Sequence, residues 1–336
     1  MRVLLIQLGR LGDVLLGTPA IRSLREACPD AEIDFLTRPA FAPILDGNPA
    51  LRRVRRYLPR RTEAELLAAS FGADRYDVVV DFQSTPHSAI LARLTRAPMR
   101  IGWGKRFRFG YTHRLHPSGE HVYSAAHKVE LLRPLGVSVG SLRLELALTD
   151  ADREFAAALW ERLGWPADAP AAALSPVSRR PYKRWPLDRF AAVGDALSRR
   201  FEGRLLITSG PGEEHVARTV AGIMREPAVW DYGRTTLGQL AAIYARCALW
   251  VGNDNGPKHI AAAVGTPTVT IFRPGQAAAW TNPETPAQVV VEAPGGVERP
   301  LEQVPVERVL EAVEEALARG ARRPAAGVGR VVIADR

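Results

Sequence analysis

The sequence predicts an α/β protein built from two doubly wound parallel-sheet domains. Three observations predict it. Short apolar, β-rich runs alternate with helical patterns from end to end; 336 residues suit two domains of roughly 160 residues better than one; and one Pro/Gly-rich break, Gly-Trp-Pro-Ala-Asp-Ala-Pro at 164–170, interrupts the pattern near its middle. A composition of 46% hydrophobic and 24% charged residues supplies full cores, which excludes disorder and a coiled coil.

In the first half, strands are expected at 3–8, 33–37, 54–58 and 78–82, with a shorter one near 100–102, all separated by helical patterns. Thr149 with Asp152 three residues on reads as a capped start for an amphipathic helix ending about Leu163. After the break, strands are expected at 171–175, 204–208, 248–251 and 268–272, and helices at 187–200, 213–224, 236–246, 257–264 and 306–319. The expected division is a first domain at 1–163, a linker at 164–170, a second domain at 171–305, a C-terminal helix at 306–320 returning toward the first domain, and a frayed tail at 321–336. Two such domains suggest a ligand cleft between the carboxyl ends of their sheets.

No stretch approaches about 18 consecutive apolar residues, and the opening apolar run is too short for a signal peptide, so a cytoplasmic protein is expected. Cys28 and Cys247 both fall in helical patterns, which leaves no disulfide framework or cysteine metal site. The formal net charge is +9, with lysine only at 105, 128, 183 and 258. Arginines 52, 53, 55, 56, 60 and 61 crowd one acid-free window, and Arg100, Lys105, Arg106, Arg108 and Arg114 another. Such windows suit an anionic partner or a solvated loop.

Three segments can carry chemistry. The first strand runs into Leu-Gly-Arg-Leu-Gly-Asp at 8–13, where Gly9 and Gly12 allow a tight turn and Asp13 stands at the strand's carboxyl end; Thr18 and Pro19 read as cap and first residue of the next helix. Asp13 is either a functional acid or a turn cap. The spacing is not the G-x-G-x-x-G of a dinucleotide site. A basic loop after the strand at 171–175 carries Ser178 and Lys183, which suit a phosphate, although Trp185 and Pro186 also simply start a helix. Finally, Gly252 to His259 reads Gly-Asn-Asp-Asn-Gly-Pro-Lys-His between a strand and an alanine-rich helix. Asp254 or Asn255 would cap that helix, Gly256 would allow close approach, and the helix start would suit a diphosphate, with His259 within reach or simply buried. Helix capping explains Asp150 and Asp152, and His113, His116, His121 and His127 match no zinc spacing.

Taken together, Leu8 to Val14, Lys183 to Pro186 and Gly252 to His259 resemble the bacterial lipopolysaccharide heptosyltransferases, glycosyltransferase family nine. Residues 29–35, Gly47 to Pro49, and His127 with Leu132 extend the resemblance over about 1–320. It implies a GT-B fold, two Rossmann-like domains facing a central cleft, and inverting transfer of a sugar, usually heptose, from a nucleotide diphosphate sugar to a lipopolysaccharide core. By the resemblance, Asp13 is the catalytic base beside Gly12; Ser178 and Lys183 contact phosphate, Lys183 with a catalytic share; Asp254, Asn255, Gly256 and His259 form the donor loop; and Glu213 holds the ribose. ADP-heptose is the implied donor. Asn255 stands where the family has Thr or Ser, and Arg273 where Gly follows the strand ending at Phe272.

Further expectations follow. Arg52, Arg53, Arg55, Arg56, Arg60, Arg61, Lys105, Arg106 and Arg108 would face an anionic lipid-linked glycan acceptor, with peripheral contact at the inner membrane. No cofactor or protein-bound metal, no nucleic acid and a monomer are expected. A sugar-nucleotide epimerase, a nucleic-acid binder and a silent anion-binding module could use the same features. Turnover of a sugar nucleotide with and without a lipid acceptor separates them.

Overall fold

The computed structural model describes residues 1–58, 74–104, 108–120 and 122–321. They form two compact units, one ending at Ala147 and the other beginning at Leu148. The first unit contains β1 (Arg2–Ile6), α1 (Leu11–Leu15), α2 (Thr18–Ala27), β2 (Glu32–Thr37), β3 (Arg53–Arg56), β4 (Val78–Asp81), α3 (Pro86–Leu94), β5 (Met99–Trp103), β6 (His113–Leu115) and α4 (Ser124–Glu130). Its six strands lie in the order β3-β2-β1-β4-β5-β6, and every pairing is parallel.

The second unit contains α5 (Asp150–Arg162), β7 (Ala171–Ser175), α6 (Leu187–Arg200), β8 (Leu205–Ile207), α7 (Glu214–Ile223), α8 (Leu237–Ala245), β9 (Cys247–Asn253), α9 (Gly256–Ala263), β10 (Thr268–Phe272), α10 (Ala277–Trp280), β11 (Gln288–Glu292) and α11 (Val306–Ala321). Its strands run β8-β7-β9-β10-β11, again all parallel. The central strands are buried along their length because helices cover both faces, which is why they read as continuous apolar runs. Each order reverses direction once, between β1 and β4 and between β7 and β9, and those reversals open crevices at the carboxyl ends of the strands.

The unit boundary falls earlier than the break at 164–170. Thr149 does cap α5: its hydroxyl accepts from the Asp152 amide at 3.2 Å, and Asp152 answers to the Thr149 amide at 3.1 Å. Yet α5 lies against α8, with Asp152 over Gly238, Trp160 buried under the Arg246 guanidinium, and the indole N–H donating to the Ala169 carbonyl at 3.2 Å. The helix therefore belongs to the second unit. In the C-terminal helix, Val309, Ala312, Val313 and Ala316 of α11 bury in the second unit's own core, over β9, β10 and β11. Two strands went unread. β6 is a three-residue edge strand with a polar sequence containing His113, and β11 (Gln-Val-Val-Val-Glu) closes the other sheet's edge. Among the described residues, no helix is long and apolar enough to cross a membrane.

The first arginine window is not a free cationic face. Asp34, fully buried on β2, accepts from Arg52 through both carboxylate oxygens at 2.8 and 2.7 Å, from Arg55 Nε at 2.8 Å and from the Tyr76 hydroxyl at 2.7 Å. Arg52 also meets Glu32 at 3.0 Å, Arg53 meets Asp74 at 3.2 Å, Arg55 pairs with Asp74, and Arg56 lies 3.6 Å from Asp46. Parallel pairing of β2 with β3 brings these acids to the window from outside it. Carboxylates of this unit pair with Arg52, Arg53, Arg55 and Arg56, while the side chains of Arg53 and Arg56 stay 59% and 54% exposed. Arg60, Arg61, Lys105, Arg106 and His121 lie outside the described residues, as does the side chain of Arg108.

Burial alone would push the Asp34 carboxyl up, but hydrogen bonds from Arg52, Arg55 and Tyr76 outweigh it and hold the group below its ordinary 3.8. Its stabilisation is therefore present at neutral pH and lost as pH falls through the folded-state value. Asp34→Asn should cost about 3–5 kcal/mol in urea denaturation at pH 7, because two guanidinium groups lose a buried partner. The difference from wild type should narrow below pH 4. A loss under about 1 kcal/mol would reduce the network to surface pairs.

Candidate active site

Both sequence-predicted clusters stand at the two reversals of strand order. At the β1/β4 reversal, a recess of about 280 Å³ is lined by Gln7, Gly9, Arg10, Asp13, Phe82, Gln83 and Lys128. Gly9 keeps it open, since a Cβ there would lie 3.0 Å from Gln7 Nε2, 3.4 Å from Gln83 Oε1 and 3.5 Å from Asp13 Oδ2. Asp13 occupies the first turn of α1, whose N-cap position is Arg10, and no side chain caps that helix. The cap alternative for Asp13 thus fails, and its carboxylate borders the recess. Gly12 packs, buried, behind it. Thr18 is not the cap of α2 either: its hydroxyl donates to the Leu15 carbonyl at 2.7 Å and accepts from the Glu145 amide at 2.9 Å.

The opposite wall is fixed by Asp81, the last residue of β4. It is fully buried and accepts from the Gln83 and Ser84 amides at 3.0 Å each and from the Tyr111 hydroxyl at 2.7 Å. Burial pushes the Asp81 carboxyl up despite those bonds, and the Tyr111 hydroxyl upward too. Tyr111 reaches Asp81 only by crossing Gly102, where a Cβ would meet its ring at 2.4 Å. Sequence reasoning missed Lys128 as a site residue. Its ammonium lies buried 2.9 Å from Gln7 Oε1 and 5.6 Å above the Phe82 ring. The available signal was a rare lysine set among Ala125, Ala126 and Val129, the buried positions of α4.

At the β7/β9 reversal, the turn after β9 meets the loop after β7. Asn255, not Asp254, caps α9: its Oδ1 accepts from the Lys258 amide at 3.1 Å, while its Nδ2 donates to Ser175 Oγ at 3.1 Å and to the Val177 carbonyl at 2.9 Å. Asn253 accepts from the Trp185 amide at 3.0 Å and donates to the Pro176 carbonyl at 2.8 Å. Between these clamps, Lys183 pairs with Asp254, and Ser178 is buried with its carbonyl accepting from Arg184 Nε at 2.7 Å. Arg273, at the end of β10, rests 5.1 Å from the Tyr182 ring beside Lys183. Glu213 stands on the loop after β8 at the N-cap of α7, its carboxylate over Gly210.

Of the two cap candidates, Asn255 spends its side chain on the cap and the neighbouring loop, so it shapes the site. In the first turn of α9, Pro257 has no N–H and that of Lys258 goes to Asn255, so Gly256 supplies the amide that the helix itself does not use. An anion there would depend on Lys183 more than on the helix start. His259 is 3% exposed, edge-on to Trp280 at 6.2 Å. Burial, followed by the charges of Lys258 and Lys183, holds its imidazole well below the usual histidine value and therefore neutral.

A family model described as glycosyltransferase family 9 (heptosyltransferase) matches residues 66–300. A lipopolysaccharide heptosyltransferase 3 of Escherichia coli is 30% identical over 287 residues, 78% of this chain and 80% of its own length. Among solved structures, a family 9 glycosyl transferase from Veillonella parvula shares 25% identity, covers 94% of this chain and 97% of its own, and superposes with a TM-score of 0.84. The E. coli heptosyltransferase WaaC with ADP has a similar fold: TM-score 0.72 at 24% identity, over 96% of this chain and 99% of its own.

Lys258 gives this site a measurable signature. It is fully buried, 4.7 Å above the Phe272 ring, and donates to the Trp280 carbonyl and to Thr281 Oγ1. Burial pulls its ammonium from 10.5 down to about 7, Asp254 opposing and Lys183 assisting. Between those values the unfolded chain binds more protons than the folded one, so stability should rise with pH across that window. Lys258→Met should flatten the rise and stabilise the protein by about 1–3 kcal/mol below pH 7. Denaturation curves with the same pH slope in both proteins would contradict the assignment.

Proposed function

The chain belongs to glycosyltransferase family 9, and on that premise we propose that it transfers a heptose from ADP-heptose to a lipopolysaccharide core or a related glycan, by a single displacement. The observation that carries the reading is the Asp13 carboxylate: uncapped, it borders an open recess at the first unit's strand reversal. Asp13 takes the proton of the acceptor hydroxyl as its oxygen bonds to the anomeric carbon. The bond from that carbon to the diphosphate oxygen breaks with its electron pair, which inverts the centre. General-base assistance of this kind is worth about 10²–10⁴-fold.

The leaving diphosphate needs positive charge as it departs. Lys183 would leave Asp254 to meet it as a point charge, with the Gly256 amide and the α9 dipole behind it. On this reading the reaction requires no metal or cofactor. Ser178 and Glu213 are assigned to phosphate and ribose, and His259 to the packing of the donor loop. What supports the donor is that a relative's fold has been solved with ADP and that the curated relative is named for heptose transfer. The acceptor is proposed as an anionic, lipid-linked glycan met at the cytoplasmic face of the inner membrane. A monomer would suffice.

The test is consumption of ADP-heptose with and without a heptose-deficient lipopolysaccharide acceptor. ADP should be released one for one with sugar transferred, and only when acceptor is present. Consumption without acceptor would favour the epimerase alternative, and its absence under both conditions a binding module. Asp13→Asn should lower kcat by about 10²-fold or more while ADP affinity stays within a few-fold. Lys183→Ala should weaken ADP by about 10-fold or more, the loss of one charge-assisted contact. Near-normal turnover in the Asp13 variant, or unchanged ADP affinity in the Lys183 variant, would remove that residue from its role.

A further inference from the structure

We propose that Lys128 is a positioning residue for the transfer, supplying the counter-charge and the fixed amide that hold Asp13 as an oriented proton acceptor when an acceptor sugar displaces water from the recess. The proposal rests on the transfer reading and adds a residue that neither the sequence motifs nor the family resemblance assigns.

Geometry leads the argument. An ammonium only donates, so the Lys128 contact to Gln7 at 2.9 Å requires the carbonyl end of the amide, Oε1. That choice turns the donor end, Nε2, toward Gly9, where it and Asp13 Oδ2 lie 3.0 and 3.5 Å from one point on the recess wall. Gln83 Oε1, 3.4 Å from the same point, is buried without a hydrogen-bond partner, and a substrate hydroxyl would satisfy it. Lys128 therefore orients Gln7, and Gln7 presents donors where the base and the acceptor hydroxyl must meet.

Charge gives the second part. Burial pulls the Lys128 ammonium below the ordinary lysine value, while Asp13 on α1 and Asp81 on β4 pull it back. Other cations near α4 are committed elsewhere: on the packed helix α2, Arg22 pairs with Glu145, and Arg25 donates to the Pro29 and Ala50 carbonyls. Arg10 borders the recess but is exposed. On α4 itself, Glu130 accepts from the Ser118 amide and hydroxyl at 3.2 and 3.0 Å, and His127 stacks edge-on to Trp103. Closing the recess over a sugar lowers the local dielectric, which strengthens the pull of the buried ammonium on Asp13. Asp81 is held by Tyr111 and two backbone amides. Asp13 is the carboxylate that faces the substrate.

The experiment is the pH dependence of kcat/KM, with ADP-heptose and a heptose-deficient lipopolysaccharide as probes. Without a nearby cation the protonated form of a carboxylate gains, so Lys128→Met should move the acidic limb upward by about one pH unit. Turnover on that limb should fall about tenfold, whereas Lys128→Arg should leave the limb within about 0.3 unit of wild type. Gln7→Glu is the control against misfolding. It gives Lys128 a stronger structural partner but neutralises its field, so the limb should again move upward in a protein at least as heat-stable as wild type. A limb unmoved in folded Lys128→Met, or in Gln7→Glu, overturns the proposal while leaving the transfer reading intact. Wild type that transfers no sugar at any pH takes both down.

Discussion

Every strand of each sheet runs the same way, and the site depends on that constraint. Parallel pairing sends all the strands' carboxyl ends to one edge, and a single reversal of order on each side opens a crevice there. Residues remote in sequence meet as a consequence: Lys183 follows β7 and Asp254 follows β9, yet they pair. Gln7, Gln83 and Lys128 meet by the same rule, from the ends of β1 and β4 and from α4. Loop chemistry then decides what each crevice does.

Buried charge is the second organising feature, and the structure treats its instances differently. Asp34 is saturated by two guanidinium groups and a phenol, which makes it an anchor of β2 to β3. Asp81 is saturated largely by backbone amides, which shapes the loop forming one wall of the recess. Lys258 ties the donor loop to the segment at 280–281. Lys128 differs from these, because its hydrogen-bond partner, Gln7, also opens on the recess. A buried cation that borders a substrate recess has an electrostatic use that a fully enclosed one lacks.

Much of this was legible in the sequence. Apolar runs alternating with helical patterns announce parallel sheets; Gly9, Gly12 and Asp13 after the first strand, and the Asn253 to Gly256 turn after another, mark crevice-facing loops; Thr149 with Asp152 fixes the start of α5 to the residue. What stayed hidden has a common cause, namely long-range pairing. The acids that neutralise Arg52 to Arg56 come from β2 and from positions 46 and 74, so charge counted along a window overstated the field. α5 joins the second unit although a Pro/Gly break follows it, because packing against α8 outweighs local punctuation. Lys128 meets Gln7 from 121 positions away, a pairing that its sequence neighbours do not announce. Asn255 was legible as a cap candidate, but its two contacts to the loop after β7 depend on long-range pairing.

The central claim is that Asp13 acts as the base in a single displacement at the anomeric carbon of the donor. The configuration of the transferred sugar tests it most directly, read by NMR from the one-bond C–H coupling and the proton shifts at that carbon in donor and product. Inversion is the predicted result, since a base that activates the acceptor allows a single attack opposite the departing diphosphate. Retention of configuration would contradict the account, because it would require a second nucleophilic event for which Asp13 is not the base.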